Sequence, residues 1–295
     1  MAYRCGYVTI LGKPNVGKST LLNQVLGRKI SITSRKPQTT RLHVLGIKSD
    51  QDTQIIFVDT PGIQQSQHNA INQYMYREAI NAIRDVNIIA YMIEALIWNK
   101  EDEFILKLLT NLEIPVILVI NKTDKIENKE DLLPFIYKTK EKMDFKEIIP
   151  VSAKTKHNIS SLEEIIKDSL PVAPQLFPDD QLSDRNEQFF AAEYIREKLT
   201  RKLGDELPYQ LTVTIEHFHE DDNIINISAL IWVSSEGQKA IVIGKNGELL
   251  RQIGEQARID MEKLFNKKVF LKTWVKVKEK WTDNINALKE FGYCH

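Results

Sequence analysis

A chain of 295 residues with 42% hydrophobic and 27% charged side chains is long enough for two domains and has ordinary globular composition. Its 40 Lys and Arg balance 40 Asp and Glu, so overall charge advertises no polyanionic partner, and any such surface must be a local patch. Cys5 and Cys294 make neither a disulfide framework nor a metal cluster, there is no room for a signal peptide before the first apolar segment, and the longest apolar run (86–98) is broken by Asn87 and Glu94; the expected setting is a reducing cytoplasm.

Residues 7–11 read as a short buried strand. They lead into Gly12-Lys13-Pro14-Asn15-Val16-Gly17-Lys18-Ser19, which fits the phosphate-loop pattern. Glycine removes side chains where backbone N–H groups approach a polyphosphate, so the loop forms an anion-binding nest. Lys18 places a positive charge on the β/γ oxygens, and the Ser19 hydroxyl is a candidate Mg2+ ligand. From Thr20 a helix over 20–26 turns its positive dipole end toward the anion.

Segments 41–48 and 54–58 read as paired strands turning at Asp50-Gln51-Asp52, and the second ends in Asp59-Thr60-Pro61-Gly62. An acid at that strand end can hold Mg2+ through its water shell, and the Gly62 N–H can meet a γ-phosphate. Runs 88–93, 116–120 and 148–151 suit strands buried on both faces. The second of these ends in Asn121-Lys122-Thr123-Asp124, whose Asp124 carboxylate can accept hydrogen bonds from guanine N1–H and the 2-amino group. Adenine would leave that carboxylate unpaired and desolvated, which is costly. After the third run, Ser152-Ala153-Lys154 offers backbone N–H, chiefly that of Ala153, to guanine O6.

All these loops follow strand C-terminal ends, where ligands of open α/β sheets bind. One DxxG tetrad is a weak signal; four motifs in this order, each after an apolar run, specify a guanine-nucleotide site. The expectation for residues 1–170 is an α/β P-loop G domain with a mostly parallel sheet, closed by a helix that Ser160-Ser161-Leu162-Glu163-Glu164 announces with overlapping capping boxes.

Prolines 171, 174 and 178 with Asp179 and Asp180 mark residues 171–187 as a linker. The remainder, 188–295, reads α-β-β-α-α-β with a C-terminal extension: a helix over 187–203 stopped by Gly204, strands over 211–215 and 225–233, a helix after Gly244-Lys245-Asn246-Gly247, and a strand over 269–278. A GxxG loop between helices in that order matches a type II KH domain, whose glycines let a nucleic-acid backbone approach the main chain. From Lys239 to Lys280 there are eleven Lys and Arg against five acids, leaving +6 in a neutral chain. Lys239, Lys245, Arg251, Lys272, Trp274 and Lys276 join Gly244, Asn246 and Gly247 as expected RNA contacts, since interleaved basic and aromatic groups neutralise phosphates and stack bases. His217 and His219 share a strand face, but without further ligands they read as an exposed strand end.

The nucleotide motifs, together with Ser34-Arg35-Lys36-Pro37-Gln38-Thr39-Thr40-Arg41, resemble the translation-factor class of small GTPases. With the second domain, essentially the whole chain resembles the Era family of bacterial ribosome-assembly GTPases. That resemblance implies slow Mg2+-dependent GTP hydrolysis to GDP. It implies that Gly12, Asn15, Val16, Gly17, Lys18, Ser19, Thr20, Asp59, Thr60, Pro61, Gly62, Asn121, Lys122, Asp124, Ser152, Ala153 and Lys154 bind GTP. Ser19, Asp59 and a switch I threonine would hold the metal, with Thr40 favoured and Thr39 the alternative. It further implies binding of the 3′ end of small-subunit rRNA during 30S maturation, a monomeric state and peripheral contact with the membrane's inner face.

Ras-like proteins orient the attacking water with a glutamine after the DxxG glycine. Ile63 stands there and can neither donate nor accept, while Gln64 and Gln65 are shifted along the backbone. Catalysis is therefore expected from Lys18, Mg2+, Thr40 and the Gly62 amide, and relatives with a hydrophobic residue at this place suggest K+ held by Asn15 as a supplement. A nucleotide-gated RNA-binding protein with negligible turnover is the second reading. An RNA-modification GTPase lacks its catalytic cysteine or cofactor motif here, and Phe291-Gly292-Tyr293-Cys294-His295 is not a lipidation box.

Overall fold

The computed structural model describes residues 2–34, 36, 39–64, 69–204 and 207–293. Arg35, Pro37 and Gln38 of the expected switch I segment, Gln65 and Cys294 lie outside the described residues. The described chain divides into two compact units. One takes most of residues 2–184; the other takes 185–293 with two short stretches near 34–39 and 69–74.

The first unit is a six-stranded sheet in the order β2-β3-β1-β4-β5-β6. Its strands are β1 (Arg4–Leu11), β2 (Val44–Ser49), β3 (Thr53–Asp59), β4 (Ile88–Glu94), β5 (Val116–Asn121) and β6 (Glu147–Pro150). Only β2 runs antiparallel, hairpinned to β3; the remaining pairs are parallel. Helices α1 (Lys18–Leu26), α2 (Ala70–Arg84), α3 (Lys100–Leu109), α4 (Leu132–Lys140) and α5 (Ile159–Ser169) fill the crossovers. The apolar runs are buried on both sides, as β4 and β5 show. Ile88, Ala90, Met92, Ile117 and Val119 pack with α1 and α5, while Ile89, Tyr91, Ile93, Leu118 and Ile120 pack with α2 and α3. Such two-sided burial is what a parallel sheet requires.

Three local readings shift. Residues 41–43 precede the strand, because β3 ends at Asp59 opposite Val44 and leaves them no ladder partner. Helix α5 starts before Ser160, behind Asn158, which sits at φ 58° and donates its amide to the Pro150 carbonyl at 2.9 Å. The capping box predicted at Ser160 is therefore not formed; backbone turn geometry at Asn158 starts the helix at Ile159, two residues earlier. Residues 171–184 lie along the first unit: the Ile47 N–H donates to the Leu182 carbonyl at 2.9 Å, and Gln54 Oε1 accepts from the Leu176 and Phe177 N–H groups at 3.0 Å each.

The second unit contains α6 (Glu187–Lys202), β7 (Thr212–Glu220), β8 (Ile224–Val233), α7 (Glu236–Ile243), α8 (Glu248–Phe265), β9 (Lys268–Val277) and α9 (Ile285–Glu290). The sheet order is β7-β8-β9, with β8 antiparallel to β7 and parallel to β9. One face presents Ile225, Ile227, Ala229, Ile231, Val269 and Val275, all buried, to the helical layer of α6, α7 and α8. Strand β7 runs five residues past the apparent end of its alternation. A bulge between Ile215 and His217 resets the pleat there, so a simple period of two fails beyond residue 215.

Candidate nucleotide site and nucleic-acid interface

Strand β1 delivers the loop 12–17 to the N-terminus of α1. Gly17 sits at φ 109° with its Cα against Asn121, and a Cβ there would collide with the Asn121 amide. Only glycine combines that backbone with that approach. Lys18 is buried, and its ammonium donates to the Gly12 and Lys13 carbonyls at 3.0 Å each across the loop. Burial lowers its pKa to about 8, opposed by the nearby Asp59 carboxylate. A polyphosphate in the nest would supply the anion that this desolvated cation lacks.

The expected metal ligands converge. Ser19 Oγ lies 2.9 Å from Thr40 Oγ1 and donates to Asp59 Oδ2 at 2.9 Å. Thr39 is turned away, donating to the Lys36 carbonyl at 2.7 Å. Asp59 is fully buried at the end of β3, its other oxygen has no partner among the described residues, and burial pushes its carboxyl pKa up. An orphaned, desolvated carboxylate oxygen beside two hydroxyls is the hard oxygen set that Mg2+ takes, so these residues fit the ion.

Sequence reading missed a fourth member. Ser31 Oγ donates to Asp59 Oδ2 at 2.6 Å. It is held by Asn23 of α1, whose amide accepts from the Ile30 and Ser31 N–H groups at 2.8 and 2.9 Å and donates to the Ser31 carbonyl at 2.6 Å. Neither residue belongs to a recognised tetrad, and only the loop's return under α1 brings them to the strand end.

Beyond Asp59, Thr60 is buried and donates to the Ile10 carbonyl at 2.9 Å, and Gly62 lies against Pro14, where a Cβ would come within 2.8 Å of the proline backbone. Ile63 is buried in the core cluster that also holds Leu11, Ala79 and Tyr91, and its N–H donates to the Gly12 carbonyl at 3.3 Å. Thus the side chain after the DxxG glycine is absent from the site and fills the sheet–helix layer instead. Asn15 is exposed at the loop tip at φ 63°, while Val16 is buried.

At the base-binding end, the Asn121 amide donates to the Val16 carbonyl at 2.7 Å and its oxygen accepts from the Ala153 N–H at 2.9 Å. The donor expected for guanine O6 is therefore engaged within the protein, where it joins the 152–154 loop to the phosphate loop. Asp124 accepts from the Ser152 hydroxyl at 2.6 Å, which fixes the carboxylate that would face the base. Lys122, at φ 66°, pairs with Glu94 at 2.5 Å, and Lys154 is exposed.

In the second unit, α7 ends at Gly244 and a single turn over Lys245–Gly247 leads directly into α8. Asn246 and Gly247 have φ 51° and 74°, which folds the loop tightly against the start of α8. An open groove of about 580 Å³ is lined by Gly247, Leu250, Arg251, Gly254, Glu255, Arg258, Leu271 and Thr273. Of the expected RNA contacts, Gly247 and Arg251 line it, Gly244, Lys245 and Asn246 form the loop at its end, and Lys239 is on α7. Lys272, Trp274 and Lys276 do not line it. Leu271 and Thr273 face the groove, and strand alternation puts their neighbours on the opposite face of the sheet. His217 and His219 stack at 6.1 Å, and no metal-binding group of three or more His, Cys, Asp or Glu occurs among the described residues.

Fold and site together define a P-loop GTPase domain followed by a KH domain. A family model described as "50S ribosome-binding GTPase" matches residues 7–122, and a KH domain model matches 206–282. GTPase Era of Coxiella burnetii (strain Dugway 5J108-111) is 53% identical over 289 residues, covering 98% of each chain. GTPase Era of Pseudomonas aeruginosa (strain LESB58) is 48% identical over 290 residues, covering 98% of this chain and 95% of that one. A crystal structure of Era in complex with MgGDPNP and nucleotides 1506–1542 of 16S ribosomal RNA superposes with a TM-score of 0.96 at 39% identity, covering 99% of this chain and 100% of that one. A point variant of Aquifex aeolicus Era bound to GDP·AlF4− gives the same TM-score, identity and coverage. The chain belongs to the GTPase Era family. No helix among the described residues is long and apolar enough to cross a membrane.

Proposed function

We propose that this GTPase holds the 3′ end of small-subunit rRNA in its KH groove, with GTP and GDP setting the affinity, and thereby assists maturation of the 30S subunit. The observation that carries the reading is the coexistence of a convergent Ser19–Thr40–Asp59 cluster with a GxxG groove on one chain of Era-family length. Bound Mg2+ would neutralise charge on the β and γ oxygens, with Ser19, Thr40 and Asp59 holding it. Lys18 would bind the same oxygens, the loop amides would orient the phosphates, and the Gly62 N–H would meet the γ-phosphate. Thr40 is the switch I ligand because its hydroxyl already meets Ser19.

Ile63, the residue directly after Gly62, is buried and cannot orient water, so hydrolysis rests on electrostatics and its intrinsic rate is low. Asn15, exposed at the loop tip, is the residue for a K+ ion beside the phosphates. Equal hydrolysis rates in NaCl and KCl would remove that role. The protein acts as a cytoplasmic monomer, with the basic residues of its second unit available to an anionic membrane surface. The test is binding of an RNA copying the rRNA 3′ end with GDP and with a non-hydrolysable GTP analogue, each at two salt concentrations. Tighter binding with the analogue, lost in Gly247→Asp, is expected; equal binding with both nucleotides refutes the gating.

A further inference from the structure

The turn that carries Asp124 is held from two sides. Toward β6, the Thr123 N–H and hydroxyl both donate to the Val151 carbonyl, at 3.2 and 2.9 Å, and the Ser152 hydroxyl donates to Asp124 at 2.6 Å. Toward β4 stands Glu94, the last residue of its strand and the ladder partner of Asn121. Its backbone is fixed there: the Glu94 carbonyl accepts the Ile97 N–H at 3.1 Å, and the next N–H, that of Ala95, donates to the Asn121 carbonyl at 2.8 Å. From that base one carboxylate reaches both ends of the turn. Oε2 accepts from the Lys122 ammonium at 2.5 Å and Oε1 from the Lys125 ammonium at 3.2 Å, so the two ion pairs bracket Asp124 in sequence. Lys122 has φ 66°, a left-handed conformation that costs a lysine steric strain, and through it the chain leaves β5 for the single turn Thr123–Lys125.

We propose that Glu94 is a positioning residue for guanine recognition: by clamping Lys122 and Lys125 it fixes the backbone turn that aims the Asp124 carboxylate at the base. The inference rests on the reading that Asp124 accepts hydrogen bonds from guanine. Both carboxylate oxygens of Glu94 are spent on the lysines, so it acts through the turn. Beside the turn lies an open pocket of about 330 Å³, lined by Glu94, Leu96, Lys122, Lys125 and Ile126 among others. On that side the ion pairs, rather than close packing, span the gap between the ends of β4 and β5. Burial raises the Glu94 pKa, but the hydrogen bonds and charges of Lys122 and Lys125 outweigh it and hold the carboxyl below its usual value, so the clamp is charged at neutral pH. The Glu94 and Lys122 side chains are 19% and 21% exposed, and that of Lys125 is 64% exposed. The Lys122 arm therefore carries most of the effect, since an ion pair in solvent contributes little. Hydrogen bonds weaken steeply when misaligned, so a loosened turn loses the base before it loses the phosphates, which the separate loop 12–17 would hold.

The test measures affinity of the full chain, with Mg2+, for GDP, for inosine diphosphate, which lacks the guanine 2-amino group, and for inorganic pyrophosphate, which has no base. A hydrogen bond to a carboxylate should separate GDP from inosine diphosphate roughly ten- to hundredfold in the parent. Glu94→Ala is expected to cut that ratio about fivefold or more and to leave pyrophosphate affinity within about twofold. Glu94→Gln, which keeps the shape and a neutral acceptor, should shift the ratio the same way by less, as should Lys125→Met. Adding Glu94→Ala to Lys122→Met should change the ratio less than about twofold, because the main arm of the clamp is already open. If Glu94→Ala weakens all three ligands alike, Glu94 is a strut of the fold and the proposal is overturned. If Glu94→Ala keeps the parent's ratio while Asp124→Ala collapses it, the guanine reading stands and the clamp is refuted. If Asp124→Ala leaves the ratio unchanged, the guanine reading itself fails and this proposal falls with it.

Discussion

Lys13 lies inside the phosphate loop, yet its ammonium points away from the nucleotide to Asp102 in the first turn of α3, 2.6 Å away. Both side chains are buried, Asp102 completely. The same carboxylate oxygen accepts the Asn99 N–H at 3.0 Å, closing a capping box, and the other oxygen is buried without a partner among the described residues. Lys13→Met keeps the length of the side chain but removes the cation bonded to this carboxylate. Breaking a buried pair from one side costs about 3–5 kcal/mol, because the remaining charge is left uncompensated. The double variant Lys13→Met/Asp102→Asn removes both charges and should recover at least half of that loss. The assay is guanidinium unfolding followed by Trp98, the only tryptophan before residue 232, alongside GDP affinity. Both should drop sharply in the single variant and partly return in the double. A loss below about 1 kcal/mol in Lys13→Met, or a double variant no better than the sum of the singles, would refute the pair as the link between loop and helix.

Ile63→Gln should not accelerate GTP hydrolysis, because the side chain occupies the core, and it should lower stability by about 1–3 kcal/mol through an unsatisfied buried amide; a faster single-turnover rate would contradict this. Ser31→Ala should weaken Mg2+ binding about 10–100-fold, read as faster GDP release at limiting Mg2+, since it removes the hydroxyl that orients Asp59. The Lys18 pKa is depressed to about 8 without nucleotide and would rise against phosphate. Binding therefore takes up a proton above pH 8, and GDP affinity should fall as pH rises from 8 toward 10. Calorimetry in buffers of different ionisation enthalpy measures that uptake, and a null result at pH 9 would show that Lys18 is already charged.

The motifs made the strand ends legible, because phosphate and guanine chemistry restrict residue types at fixed spacings: Gly17, Lys18, Asp59 and Asp124 could be placed by pattern. Contacts that cross the chain could not be read in this way. Nothing near Lys13 announces an aspartate 89 residues later, and Ser31 sits in an unremarkable loop that Asn23 holds beside Asp59. Burial of Ile63 was also hidden; the sequence shows an apolar residue where Ras-like proteins have glutamine, but not that it points inward. In the second unit, alternation correctly put Phe270, Lys272, Trp274 and Lys276 on one face. Which face carries the GxxG groove depends on the helices that cover the other side, and strand periodicity alone is blind to that.

One amide, that of Asn121, fastens the phosphate loop through Val16 and the 152–154 loop through Ala153. The loops expected to hold base and phosphate are thus tied to each other by the protein's own hydrogen bonds. Cooperativity between two ligand fragments arises when the first to bind relieves an ordering cost for the second. Here that cost has been met by the fold, so guanosine and pyrophosphate offered separately should occupy the site almost independently of each other. The linkage between them in GTP then contributes chiefly as a tether, by effective concentration.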